Sequence, residues 1–313
     1  MDDEVEEGPR RTGGVEMAER LAGGVWGHLV GDALGVPYEF LSSKQIQEVV
    51  WGKQGTHAQK AGTWSDDGGL MLALLDSLLS AGFDLEDQGY RALAWWEGPN
   101  YKPGELFDIG HTTTAALKRL QGGVKAFEAG GMGEGEQSNG SLMRILPVAL
   151  VGRKKTPQEL AEQAMAASAV THRRASCRVT CALYCLIAQA LLEGEEREQA
   201  LGRAVRMMEE MVRNEDLVAL RQVMTYKERS GSGYVLDSFW SAWDAFARAE
   251  NYREVVERAV RYGNDTDTTA CVAGGLAGIY WGVNGIPSQW VQAMRGQGIV
   301  SPLVRRLVEG LAL

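Results

Sequence analysis

The fold of this chain is decided at residues 263–281, which read GNDTDTTACVAGGLAGIYW. Acidic and hydroxyl side chains stand first, from Asp265 to Thr268, and residues 270–281 follow with apolar side chains at helical spacing. Alternation with a period of two, which would indicate a strand, is nearly absent here and in the rest of the sequence. The pattern predicts a buried helix that begins near Thr268 and has oxygen-bearing side chains at its N-terminus.

The same order of acidic cluster and apolar run recurs nearer the start of the chain. Ser65, Asp66 and Asp67 come directly before residues 70–79, whose apolar side chains also recur at helical spacing. Each cluster alone is best explained as a helix cap, because carboxylates and hydroxyls accept hydrogen bonds from the free N–H groups of a first turn. Four carboxylates in one place need cations, and Mg²⁺ or Mn²⁺ prefers an oxygen-only shell. The two clusters together therefore support the hypothesis of a two-metal site.

Most of the remaining sequence also predicts helices. Thr156 precedes Pro157 and Glu159, which is the pattern of a capping box with proline at the first helical position. Asp84 and Asn251 stand at two further helix starts. Apolar residues at helical spacing mark residues 177–192, 200–212 and 238–249. With no repeat and no linker in the sequence, we predict an all-α fold in which residues 15–313 form a single domain.

The composition is that of an ordinary soluble protein. Hydrophobic residues make up 45% and charged residues 23% of the 313 residues, which excludes disordered and low-complexity classes. The net charge of -9 argues against a nucleic-acid partner. Residues 1–14 are rich in acidic side chains, and we expect them to form a disordered tail. Without an obvious membrane span or signal peptide, we expect a cytoplasmic protein with no membrane contact, and a monomer.

The four cysteines give no sign of a metal site. Cys177, Cys181 and Cys185 would stack along one face of a helix, and Cys271 stands apart. Zinc sites do not use this spacing, and no CxxC pair occurs. We interpret all four as core residues with free thiols.

Two other classes of helical metal-dependent enzyme fit this sequence less well. Phosphohydrolases built on histidine and aspartate ligands are disfavoured, because no His-Asp dipeptide occurs among the four histidines. Isoprenoid synthases bind Mg²⁺ through two aspartate motifs, and Asn264-Asp265 with Thr268 begins the second of them. Val272 replaces the glutamate of that motif, and Leu70 replaces the third aspartate of the first.

Six motifs in this order resemble the ADP-ribosylglycohydrolase family. They are GDALGVPYE at 31–39, WSDD at 64–67, SNGSLMR at 138–144, TH at 171–172, GYV at 233–235 and GNDTDT at 263–268. The resemblance extends over residues 19–290. It implies an all-α fold with a central cleft, two Mg²⁺ or Mn²⁺ ions, and hydrolysis of a bond to the anomeric carbon of ADP-ribose.

The resemblance also implies roles for individual side chains. Glu39 matches a mobile acidic residue near the metals, and Asp108 resembles an acid that bacterial members place beside the scissile bond. Either carboxylate is a candidate for proton transfer. A helix N-cap ahead of Thr112 explains Asp108 equally well. The metal ligands of the family fall on Ser65, Asp66, Asp67, Asp265, Asp267 and Thr268.

Substrate contacts are implied for a glycine-rich loop and for two ring side chains. The loop at residues 130–140 is too rich in glycine for a stable helix. Its residues 135–140 can offer N–H groups to a pyrophosphate, although a surface loop is the plainer explanation. His172 matches a phosphate contact, although an interior histidine is common. Tyr234 is the candidate to stack on the base. The loop contacts are expected at Gln137, Ser138, Asn139 and Gly140.

We expect a metal-dependent glycosidase that releases ADP-ribose from an ADP-ribosylated protein, with modified arginine as the first candidate. Serine-linked ADP-ribose and small conjugates such as O-acetyl-ADP-ribose are alternatives, as is a catalytically silent protein that binds ADP-ribose. The four aspartates favour an enzyme, because a silent protein has no need to retain carboxylates that repel one another. Two departures from the family pattern predict altered site geometry or leaving-group preference: Gly68-Gly69 replaces a threonine, and Asn264 replaces a glycine.

Overall fold

The computed structural model describes residues 15–310, and within that range it is all-α, as predicted. No β-strand occurs there, and only isolated bridges join the loops. The predicted tail at residues 1–14 lies outside the described residues. The helices are α1 (Met17–Gly35), α2 (Asp66–Ala81), α3 (Leu85–Glu97), α4 (His111–Gln121), α5 (Ala126–Ala129), α6 (Leu146–Val151), α7 (Pro157–Ala169), α8 (Ala175–Leu192), α9 (Arg197–Met211), α10 (Asn214–Thr225), α11 (Val235–Ala247), α12 (Tyr252–Arg261), α13 (Thr266–Trp281), α14 (Ser288–Ala293) and α15 (Gln297–Glu309).

The predicted helix starts are confirmed by side-chain caps. The Thr156 hydroxyl accepts a hydrogen bond from the Glu159 N–H, and the Glu159 carboxylate accepts one from the Thr156 N–H at 3.0 Å. Asp84 accepts from the first turn of α3, and Asn251 accepts from the Glu254 N–H at 2.9 Å. These side chains satisfy N–H groups that have no partner within the helix, which is why local sequence sufficed to locate the starts.

Helices α1 and α13 pack backbone against backbone. Glycine recurs at every fourth residue of α1 from Gly23 to Gly35, and this spacing puts the glycines on one helix face. A Cβ atom at Gly31 would lie 2.3 Å from the Ala270 carbonyl oxygen, and one at Gly27 would lie 2.4 Å from that of Gly274. Only glycine permits so close an approach. This glycine spacing is visible in the sequence, but it was not taken as evidence of a helix, and helix α1 was not predicted.

Helix α8 runs through the core. By length and composition it is apolar enough to cross a membrane, with a mean hydropathy of 1.5 over 18 residues, but 89% of that window is buried inside the protein. Packing in the core therefore accounts for its apolar character. Cys177, Cys181 and Cys185 lie along this helix, fully buried and unpaired, and Cys271 is buried in α13. The interpretation of the cysteines as core thiols is confirmed.

Three isolated backbone bridges hold the loops that surround the N-termini of α2 and α13. They pair Ser42 with Gly263, Gly131 with His172, and Ser138 with Tyr234. The predicted loop at residues 130–140 contains no helix. Its end is fastened by the Asn139 N–H, which donates to the Gly233 carbonyl oxygen at 3.0 Å. Segments far apart in sequence thus meet around one cleft.

Candidate active site

The two acidic clusters meet where the N-termini of α2 and α13 converge. The Thr268 side chain lies close enough to the Asp67 carboxylate to act against the rise in its pKa, which links the two clusters directly. Glu39, Asp265 and Asp267 each offer a carboxylate oxygen within 4.8 Å of the others. The structure therefore brings together side chains that the sequence places more than two hundred residues apart.

Asp267 has one carboxylate oxygen without a donor. The side chain is fully buried, and its Oδ1 accepts from the Thr268 N–H at 2.9 Å, but no N–H or O–H of the described residues reaches Oδ2. Burial and the carboxylates of Glu39 and Asp67 raise the pKa of Asp267 well above its ordinary value. An unpartnered buried oxygen among acids is unfavourable unless a cation binds it. This donor set fits a divalent metal ion.

The helix-cap explanation holds for the first cluster and only in part for the second. Ser65 is the N-cap of α2, and its hydroxyl accepts from the Asp67 N–H at 3.2 Å. Asp265 occupies the N-cap position of α13, but its side chain caps no N–H group. Instead its Oδ2 accepts from the Asn139 side-chain amide at 2.8 Å. In the second cluster it is Asp267, and not the N-cap residue Asp265, whose side chain accepts from a first-turn N–H.

Asp32 holds the backbone of the first cluster in place, a role that no sequence pattern indicated. Its carboxylate is fully buried and accepts from the Ser65 N–H at 3.0 Å and the Gly68 N–H at 2.8 Å. Burial raises the pKa of Asp32 to about 7, although these hydrogen bonds act in the opposite direction. Burial and the neighbouring Asp67 likewise raise the pKa of Asp66. These hydrogen bonds hold the first turn of α2, whose Asp66 and Asp67 are buried near Asp265.

Glu39 and Asp108 lie side by side at the cleft. Burial, followed by the charges of Asp108 and Asp265, raises the pKa of Glu39 to about 10. Burial also raises the pKa of Asp108, while the neighbouring Glu39, Asp267 and His57 act in the opposite direction. Glu39 and Asp108 each offer a carboxylate oxygen within 4.8 Å of the other, and two carboxyl groups this close favour holding one proton between them. The alternative that Asp108 caps a helix is wrong, because α4 has Gly110 as its N-cap and no side-chain cap.

His57 lies against the Glu39–Asp108 pair, and no sequence pattern indicated this contact. Its Nε2 atom contacts the Glu39 carboxylate and lies 3.8 Å from Asp108 Oδ1. The residue stands in an irregular segment with no motif around it, so no local signal marked it. Its position depends entirely on the path of the loop between α1 and α2.

His172 lies beneath the glycine-rich loop rather than at its surface. The ring is fully buried, with Nε2 at 2.9 Å from the Ser138 hydroxyl and Nδ1 at 2.9 Å from the Thr171 hydroxyl. Burial lowers the pKa of His172 to about 3, so the ring is neutral near pH 7. A Cβ atom at Gly140 would lie 2.7 Å from its Cε1, so the loop packs directly on the ring. His172 is thus an interior histidine, which was the alternative to the phosphate contact that the resemblance implied, and it can act on a phosphate only through the loop.

Tyr234 lies in a groove beside the second acidic cluster. Its ring is half-buried and 5.6 Å from that of Tyr226, edge to face. Both line a groove of about 520 Å³ together with Gln137 and Arg174. The neighbouring Gly233 is close to the acids, since a Cβ atom there would lie 3.3 Å from Asp265 Oδ2. Tyr226 was not among the substrate-binding residues predicted from the sequence.

The two departures from the family pattern have structural reasons. A Cβ atom at Gly68 would lie 2.7 Å from Leu29 and 2.8 Å from the Trp64 indole, so the threonine side chain has no space here. Asn264 adopts a φ of 60°, a region that favours glycine and that asparagine tolerates better than most residues. Its side-chain amide donates to the Ser230 carbonyl oxygen at 2.8 Å.

Comparison with known proteins agrees with this geometry. The family model described as ADP-ribosylglycohydrolase matches residues 14–312. The chain belongs to this family. It is 30% identical to ADP-ribosylarginine hydrolase Tri1 of Pseudomonas putida, covering 94% of this chain and 79% of the relative. It is 27% identical to ADP-ribosyl-[dinitrogen reductase] glycohydrolase of Rhodospirillum rubrum, covering 95% and 97%.

A solved structure extends the agreement to the fold. The structure titled ADP-ribosylglycohydrolase-related protein complex superposes with a TM-score of 0.80 at 30% sequence identity, covering 94% of this chain and 98% of that chain. The family and the all-α architecture inferred from the six motifs are both confirmed.

Proposed function

We propose that this ADP-ribosylglycohydrolase removes ADP-ribose from modified arginine side chains of proteins. The observation that supports hydrolysis most directly is the buried Asp267 oxygen without a donor, which lies among acids from both ends of the chain. The choice of arginine follows the relatives whose names specify ADP-ribosylarginine.

Two divalent cations, Mg²⁺ or Mn²⁺, fit the oxygen donors at this site. The four aspartates supply a charge that two dications would neutralise, and no nitrogen or sulfur donor is needed. When bound, such ions stabilise negative charge on oxygen and lower the pKa of a bound water. The residues that would hold them are Ser65, Asp66, Asp67, Asp265, Asp267 and Thr268.

The Glu39–Asp108 pair is suited to proton transfer. The Glu39 and Asp108 carboxyls lie within 4.8 Å of each other and burial raises the pKa of both, so one can hold a proton that the other accepts. Two adjacent carboxyl groups that share one proton can serve as acid and base in turn. Hydrolysis needs both roles, because the leaving group takes up a proton and the attacking water loses one.

The rest of the cleft is arranged to bind the ADP-ribose unit along its length. The loop Gln137–Gly140 lies between the acids and Tyr234, where it can meet the pyrophosphate. Asn139 ties the loop to Asp265 through its side-chain amide. His172 supports the loop from below through Ser138. Tyr234 and Tyr226 offer ring faces for the base.

The test is to incubate the protein with peptides bearing arginine-linked or serine-linked ADP-ribose, and with O-acetyl-ADP-ribose. Released ADP-ribose is measured by chromatography, with Mg²⁺, with Mn²⁺ and with chelator. We expect release from the arginine-linked peptide that depends on the cation. A protein that binds ADP-ribose but releases none from any of the three would be the silent relative, and the proposal would be wrong.

A further inference from the structure

Three aromatic side chains line the solvent side of the Glu39–Asp108 pair. The ring centroid of His57 lies 5.9 Å from that of Phe40 and 5.1 Å from that of Phe107. Phe40 is 67% exposed, whereas Glu39 is only 4% exposed. We call Phe40, His57 and Phe107 the aromatic row. It leads from solvent inward to the two carboxyl groups.

Phe40 is held in this position against its backbone preference. Its φ of 65° lies in the left-handed region, which is unfavourable for a bulky side chain. Two hydrogen bonds of 2.7 Å maintain it: the Phe40 N–H donates to the Asn264 carbonyl oxygen, and the Asn264 N–H donates to the Leu41 carbonyl oxygen. The position of Phe40 is thereby coupled to the loop that presents Asp265.

Backbone strain is concentrated around this part of the cleft. Within residues 15–310, six non-glycine residues have positive φ, and four of them are Phe40, Ala58, Asn264 and Asp108. Such strain tends to collect at functional sites, where the surrounding structure enforces it. Core packing does not account for Phe40, since most of its side chain is in solvent. An exposed, strained aromatic residue beside two carboxyl groups indicates a ligand contact.

The position of the aromatic row within the cleft identifies which part of the substrate meets it. In the proposed function, the base lies at Tyr234 and the ribose lies at the acidic clusters. The proton-transfer pair marks the bond that is cleaved. The acceptor therefore leaves past Glu39 and Asp108, which is the side on which the aromatic row stands.

We infer that the aromatic row, together with the Glu39–Asp108 pair, is an acceptor subsite that selects a guanidinium group. This inference rests on the proposed function. A guanidinium is planar and cationic, so it stacks on aromatic faces and pairs with carboxylates. A serine-linked or acetyl-linked acceptor has neither the plane nor the charge. The subsite would thus favour arginine through contacts that the other acceptors cannot make.

The test compares Phe40→Ala with Phe127→Ala. Phe127 is a matched control, because it is 54% exposed and lines a different groove with Met165 and Arg173. Loss of a cation–aromatic contact should lower kcat/KM for the arginine-linked peptide about tenfold. Phe127→Ala should match the wild type. Inhibition by free ADP-ribose should stay unchanged in both variants, because this product lacks the acceptor.

Two more variants at the same position distinguish recognition of a cation from simple apolar packing. Phe40→Tyr keeps an aromatic face and should retain activity, whereas Phe40→Leu keeps apolar surface and should behave like Phe40→Ala. Equal kcat/KM in Phe40→Ala and Phe127→Ala, with an active wild type, would overturn the acceptor subsite and leave the proposed function standing. A wild type that cleaves no arginine-linked substrate would instead overturn the proposed function, and the subsite with it.

Discussion

Replacing Asp267 by asparagine should stabilise the protein without metal and should reduce the stabilisation that metal provides. In chelator, the wild-type protein buries a carboxylate oxygen that lacks a donor, next to Glu39 and Asp67. Asparagine has nearly the same shape, removes the charge and adds N–H donors that the neighbouring carboxylates can accept. Because an unsatisfied buried group costs about 1–3 kcal/mol, Asp267→Asn should raise the free energy of unfolding by that amount.

This stabilisation in chelator should depend on pH. The pKa of Asp267 is raised in the folded state above its ordinary value of 3.8. The stability that its proton provides is fully present below 3.8 and is lost as pH rises through the folded pKa. The advantage of the variant should therefore vanish at low pH, where the wild-type carboxyl is also neutral, and grow toward neutral pH.

With metal present, the variant should lose most or all of this advantage. Binding to the folded state alone stabilises by RT ln(1 + [L]/Kd), about 2.7 kcal/mol at a hundredfold excess over Kd. If loss of one charged ligand weakens binding about a hundredfold, the variant gains only about 0.4 kcal/mol at the same concentration. The stabilisation by metal should thus fall by about 2.3 kcal/mol. Thermal unfolding with and without Mn²⁺, together with titration calorimetry, measures both quantities.

Asp237→Asn is the matched control, because Asp237 is a buried aspartate whose carboxylate accepts enough hydrogen bonds without a metal. Asp237 is fully buried, and its carboxylate accepts from the N–H groups of Ser230 at 2.8 Å and Ser232 at 3.0 Å. Its burial acts to raise the pKa, but these hydrogen bonds and those of the two hydroxyls outweigh it and lower the pKa. Asp237→Asn should therefore destabilise the protein in chelator and keep the full gain from metal. An Asp267→Asn variant with the wild-type gain from metal would refute the ligand assignment.

Three further predictions concern the helix pair, the base and the proton. Gly31→Ala should destabilise the protein by about 1–3 kcal/mol in a urea titration, because its Cβ would lie 2.3 Å from the Ala270 carbonyl oxygen. The control Gly202→Ala should stabilise the protein, because its Cβ would meet only an arginine side chain at 3.4 Å. Tyr234→Ala should weaken ADP-ribose binding by about 1–3 kcal/mol through loss of base stacking, and unchanged calorimetric affinity would remove the residue from the site. Asp108→Asn should lower turnover about 10²- to 10⁴-fold while metal affinity stays the same, and a parallel loss of metal would contradict a proton-transfer role.

The helices were predictable from the sequence because their causes are local. A cap such as Thr156 satisfies N–H groups within the next three residues, so the neighbouring sequence contains the whole interaction. The same holds for the apolar spacing of α2 and α13. Asp108 shows the limit of this reasoning, since its surroundings resemble a helix start, but α4 begins after Gly110 and the Asp108 side chain turns to Glu39 instead.

The acidic clusters were also visible in the sequence, because charge placed ahead of an apolar run stands out wherever it occurs. Their convergence depends on the contact between α1 and α13, in which Gly27 and Gly31 let two backbones touch. That contact, together with the packing of α2, determines where Asp67 meets Thr268. The six motifs nevertheless anticipated this meeting through the resemblance to the family.

Only the tertiary structure determined the contacts of residues that no local sequence pattern marks. His57 reaches Glu39 from an irregular loop, Asp32 accepts N–H groups from residues more than thirty positions away, and Phe40 takes a left-handed backbone conformation through hydrogen bonds to Asn264. Each depends on the folded path of two distant segments. Neighbouring residues in the sequence determine which helix N–H groups are capped and which helix face is buried. Long-range polar contacts form only once those helices have packed.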